Sequence, residues 1–166
     1  MIFETERLLV RYLQKEDISG FYKLESNPEV LRYATGEVDS FENIKISLKE
    51  LIKKYENPEN DFWIYAIERK RDKQFIGTIA LIKDDENDDE VGIRFIQEYW
   101  GKGYGLEVGK GVITYCKEKQ FSKLIAYVVD VNVASAKIIT KLGFEPVKKL
   151  VSDDIGLPET KYELIL

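Results

Sequence analysis

Residues 90–119 read EVGIRFIQEYWGKGYGLEVGKGVITYCKEK, three patterns in direct succession. Val91, Ile93, Phe95 and Ile96 are branched or aromatic and predict a buried strand. Trp100-Gly101-Lys102-Gly103-Tyr104-Gly105 predicts a tight turn. Leu106, Gly109, Val112, Ile113 and Cys116 recur at helical spacing and share one face. A chain with this stretch must start a helix at the end of a strand. Its glycines let backbone N–H groups crowd together with no Cβ between them. With the positive end of the helix dipole behind them, these amides suit a pyrophosphate.

Two familiar phosphate loops fail on spacing. The pattern Gly-x-x-x-x-Gly-Lys-Ser/Thr, counted back from Gly109-Lys110, lands on Tyr104 and ends on Gly111. The dinucleotide pattern Gly-x-Gly-x-x-Gly places its third glycine at Leu106 or Val108. What remains is Gly-x-Gly after a strand, or a strand-to-helix turn that holds no ligand.

Composition narrows the chemistry. The chain has 166 residues, 44% of them hydrophobic, enough for the core of one domain spanning 1–166. It has no histidine, which removes Ser-His-Asp and Cys-His catalysis. With one cysteine, the usual zinc sites go as well, so no metal is expected. Cys116 lies on an apolar helix face and reads as a small buried hydrophobe. No apolar run is long enough for a membrane span, and the N-terminus has no signal-peptide layout. A cytoplasmic protein away from membranes is expected. A net charge of −5 and no basic stripe argue against nucleic acid and mildly favour a cationic substrate.

In chain order, strands are expected at 7–13, 62–69, 74–82, 91–96, 123–129, 145–151 and 161–166. Helices are expected at 15–26, 41–55, 106–116 and 132–142, with a further turn at 29–33 ended by Gly36. Ser40 and Asn132 are placed as N-caps, and Gly143 as a C-terminal helix stop followed by Phe144. Strands and helices interleave in one α/β domain with a mixed sheet. The acidic run 84–89 reads as a solvated hairpin turn, or as a lure for amines at a cleft mouth.

The loop Trp-Gly-Lys-Gly-Tyr-Gly resembles the acetyl-CoA pyrophosphate loop of the GNAT superfamily of N-acetyltransferases. Tyr99 to Tyr104 and the opening Thr5-Glu6-Arg7-Leu8 resemble the branch of ribosomal-protein N-terminal acetyltransferases. Asn132, Ser135, Leu142, Gly143 and Phe144 resemble a second cofactor-side motif, about 30 residues after the loop as in that family. The resemblance implies a GNAT-like fold of about seven strands, a splayed central pair and about four helices. It implies acetyl-CoA as co-substrate, held by the backbone of Phe95 and Ile96 and by the amides of Gly101, Lys102, Gly103, Tyr104, Gly105 and Leu106. Asn132 would contact the pantetheine, with Ser135 near the thioester sulfur.

An amine attacking a thioester must lose a proton. An α-amine has a pKa of about 8 and a lysine amine about 10.4, so most arrives protonated. Glu90, at an acidic position common in the branch, is the candidate base. Alternatively it only extends the acidic turn or pairs with Arg94. A backbone N–H near Phe95 would stabilise the oxyanion. Many members use a tyrosine at the position held here by Ile139, which leaves Ser135 to support the leaving thiolate. Tyr33, Trp63 and Tyr65 line an acceptor pocket or are simply core. The acceptor expected is a ribosomal-protein or peptide N-terminus, with a small amine as alternative, on a monomer or homodimer. Two other readings stand beside this: a non-catalytic acyl-CoA-binding module, and a structural domain without ligand.

Overall fold

The computed structural model describes all 166 residues. Eight strands form one sheet: β1 (Phe3–Glu4), β2 (Leu8–Tyr12), β3 (Phe62–Arg69), β4 (Gln74–Lys83), β5 (Asp89–Phe95), β6 (Lys123–Val129), β7 (Glu145–Val151) and β8 (Pro158–Ile165). Five helices accompany them: α1 (Ile18–Glu25), α2 (Pro28–Leu31), α3 (Phe41–Lys54), α4 (Tyr104–Glu118) and α5 (Val133–Lys141). The sheet order is β1-β2-β3-β4-β5-β6-β8-β7. The additions to the expected count are short: the two-residue β1, paired with β2, and the single turn α2 opened by Pro28. β8 also begins three residues earlier than expected, because Pro158 lacks only a donor that the first residue of a strand can spare.

β1 to β5 run antiparallel, each with the next. β5 and β6 are parallel and share a single bridge, Glu90 to Ile125. Beyond it the two strands part, which is the splayed pair expected.

Strand alternation sends side chains to two cores. On one face Ala66, Phe75 and Ile96 pack with Phe21 and Leu24 of α1 and Ile44 and Leu48 of α3. On the other, Leu8, Val10, Tyr65, Ile67 and Ile79 pack with Val108, Val112 and Cys116 of α4. Cys116 is fully buried, and burial pushes its thiol up to about 12, as befits a core residue.

The caps form where the sequence places them. Ser40 Oγ accepts the Asn43 N–H, and Asn132 Oδ1 accepts the Ser135 N–H. Gly143 takes φ 94°, and the Phe144 N–H reaches back to the Ile139 carbonyl, closing a Schellman end on α5.

Candidate active site

The loop between β5 and α4 is shaped by two left-handed glycines, Gly101 (φ 70°) and Gly103 (φ 80°). Between them and the first turn of α4, the amides of residues 101–106 donate to no protein acceptor. The next, Glu107 N–H, returns to the Gly103 carbonyl at 3.1 Å. Six donors at a helix N-terminus are thus left for a ligand.

The loop is held from behind by the opening of the chain. Arg7 bonds Glu107 through Nε (2.6 Å), and its backbone N–H reaches the other carboxylate oxygen (2.8 Å), which also takes the Thr5 hydroxyl (2.6 Å). Burial alone would raise the Glu107 carboxyl, yet these bonds outweigh it and hold it low. Arg7 also lies over the Tyr104 ring and gives Nη1–H to the Lys102 carbonyl at 3.1 Å. In a trans peptide the N–H points opposite the C=O, so this bond turns the Gly103 N–H outward. Thr5 and Arg7 are therefore part of the loop's support, a role the sequence pattern did not disclose.

A cleft of about 1410 Å³ runs from this loop through the β5–β6 opening. Gly101, Gly103, Tyr104, Gly105 and Leu106 line it, with Asn132 and Ser135 facing them. Phe95 lines it too. Ile96 does not: its N–H goes to the Ile76 carbonyl and its own carbonyl takes the Tyr99 N–H. Antiparallel alternation then aims the N–H groups of Phe95 and Ile93 away from β4, into the opening. The backbone donors free for the contact expected of Phe95 and Ile96 are therefore those of Phe95 and Ile93. Lys102 stands outside the cleft wall, and its share in the loop is its backbone.

Glu90 lines the cleft at the apex of the fork. Burial, then the nearby Asp84 and Glu159 carboxylates, push its carboxyl up to about 7. Arg94 is no partner, since it pairs with Glu25 at 3.2 Å. Glu159, in the early start of β8, is a cleft residue missed from sequence.

Of the acceptor candidates, Tyr33 lines the cleft and Trp63 does not. Trp63 projects from the opposite face of β3, stacked between Tyr55 and Tyr65 at ring distances of 6.0 and 6.1 Å. Its β3 neighbours Phe62 and Ile64 face the cleft instead. Ile139 is 8% exposed and belongs to the core.

The acidic turn is neither solvated throughout nor free. Lys161 Nζ of β8 sits among Asp84 (3.1 Å), Glu86 (2.5 Å) and Asp88 (3.0 Å), with its side chain 5% exposed. The three carboxylates that could have gathered a cation already hold an ammonium.

The family model of the acetyltransferase (GNAT) domain matches residues 7–145. The chain belongs to the GNAT acetyltransferases. The acetyltransferase is 30% identical over 148 residues to the uncharacterized N-acetyltransferase YoaA of Bacillus subtilis, covering 87% of this chain and 82% of the relative. Among solved structures it resembles the ribosomal-protein-S5-alanine acetyltransferase of Vibrio fischeri, with TM-score 0.77, 20% identity and coverage of 98% and 95%. It also resembles the spermidine N-acetyltransferase of Vibrio cholerae solved with CoA and spermine, with TM-score 0.79, 20% identity and coverage of 96% and 95%. As a GNAT enzyme it uses acetyl-CoA as acetyl donor. The unpartnered amides of the loop fit that donor's pyrophosphate. No helix is long and apolar enough to cross a membrane.

Proposed function

We propose that this acetyltransferase moves the acetyl group of acetyl-CoA to the α-amine of a peptide or protein, in the manner named for the S5-alanine neighbour. The observation that carries the reading is Glu90: a proton acceptor near neutrality at the fork, in an open cleft that Tyr33 also lines. An open cleft lets the rest of a long acceptor remain outside while its terminal amine enters.

In this reading the amides of residues 101–106 hold the pyrophosphate. The Asn132 Nδ2 donor, left over after Oδ1 caps α5, meets the pantetheine. Glu90 takes a proton from the incoming ammonium, and the freed amine nitrogen bonds to the thioester carbonyl carbon. The carbonyl oxygen gains charge beside the Phe95 and Ile93 N–H groups. When the C–S bond breaks, the electron pair leaves on sulfur, where the Ser135 hydroxyl donates a hydrogen bond, and the thiolate takes the second proton of the attacking nitrogen, which leaves a neutral amide and the free thiol. Ile139 supplies no phenol there, so orientation carries more of the acceleration.

A second reading, a small polycationic amine, draws on Asp153, Asp154 and Glu159, which line the same cleft. Free-thiol release over a panel of N-terminal peptides and polyamines decides. Turnover with peptides alone supports the first reading, turnover with polyamines alone the second.

A further inference from the structure

β5 and β6 are the seam between the two halves of the sheet, and their backbones meet at one bridge only. The closed end of the seam is held by side chains instead. Lys161 reaches from β8 past β6 to Asp84, Glu86 and Asp88 in the β4–β5 turn. Tyr127 of β6 gives its hydroxyl proton to Asp84 (2.8 Å), and Lys123 of β6 bonds Asp88 (2.9 Å). Every one of these bonds crosses the seam, and Lys161 is the member that touches all three acids. It is 4% exposed.

We propose that Lys161 is a positioning residue for acetyl transfer: it pins the β4–β5 turn to β8, fixing the fork and the carboxylate of Glu90 that follows the turn. The proposal rests on Glu90 being the proton acceptor. The charged groups facing Glu90 are Asp84 from the turn, Glu159 and Lys161 from β8, and Asp154 from the turn before β8. Ile82 and Ile125, its strand partners, bring no charge. Lys161 is thus the one cation in an otherwise acidic surround. Burial works against its charge, but Glu86, Asp88 and Asp84 hold it protonated across the working range. Its contribution is therefore constant with pH, and any titration seen belongs to its neighbours.

The test is the pH profile of kcat/KM for wild type, Lys161→Met, Lys161→Arg and Glu90→Gln, read by thiol release with saturating acetyl-CoA. With Glu90 as the proton acceptor, wild type should show an acid limb near 7. In Lys161→Met we expect that limb to move up by about half a unit or more, since an attractive charge is lost and three acids are left facing Glu90. Activity at neutral pH should fall about threefold to tenfold, with KM for acetyl-CoA, measured in a separate acetyl-CoA titration, unmoved. Lys161→Arg should restore the limb. An unshifted limb in Lys161→Met overturns the proposal and leaves the Glu90 reading standing. An acid limb that persists in Glu90→Gln overturns the Glu90 reading, and this proposal with it. If Lys161→Met does not fold, Lys161→Met/Glu86→Gln removes one repelling carboxylate away from Glu90, and the same two outcomes apply.

Discussion

Glu90 and Ile125 are the only residues that pair β5 with β6, and Glu90 is also the carboxyl pushed to about 7. The acid and the opening coincide because the fork exposes the cleft where the strand is still buried. Glu90→Gln should therefore lower kcat by about 10²-fold or more while acetyl-CoA affinity stays within about twofold. Thiol release and titration calorimetry check the two halves. An unchanged kcat would remove Glu90 from the chemistry.

The same carboxyl is a cost to the fold. Its folded pKa lies above its unfolded value, so the native state binds the extra proton between about pH 4.5 and 7. Stability is lost as pH rises through that window. Glu90→Gln should stabilise the protein by about 1–2 kcal/mol at pH 8. The advantage should vanish below about pH 4.5. Denaturant unfolding at the two pH values measures it.

Arg7 braces the loop that is proposed to hold the pyrophosphate end of the donor. Arg7→Gln should raise KM for acetyl-CoA about tenfold through a loosened loop. With S-acetylpantetheine, which lacks the pyrophosphate, kcat/KM should match wild type. A loss with both donors would mean general damage to the fold.

Gly103 holds φ 80°, and a Cβ added there would meet nothing nearer than the Arg7 guanidinium, at 3.5 Å. Space is therefore no obstacle, and the penalty for a side chain is conformational. Gly103→Ala should cost about 1–2 kcal/mol of stability from backbone strain. The peptide would turn to relieve it, so acetyl-CoA binding should weaken as well. Thermal melts with and without acetyl-CoA separate the effects, since the ligand-induced rise shrinks only if the loop is disturbed.

Features set by neighbouring residues were legible in the sequence. The Ser40 and Asn132 caps, the Gly143 stop and the 101–105 turn each need only local chemistry. Trp63 was misplaced because alternation says which residues share a face, but not which face meets the cleft. Glu159 was missed because Pro158 and Glu159 carry no strand propensity and obscure the start of β8. Lys161 and Glu86 lie 75 residues apart, and no local pattern links them. The acidic turn therefore read as a free surface when it is a filled one.

The indole of Trp100, 46% exposed, donates to the Phe95 carbonyl at 2.8 Å. A parted sheet presents bare rungs, a template on which stray polypeptide can grow. At Phe95 the acceptor half of the rung is already taken and the donor half is free. In the proposed reading the coenzyme uses that donor alone, whereas an added strand would need both halves, so the rung at Phe95 is open to the one and closed to the other.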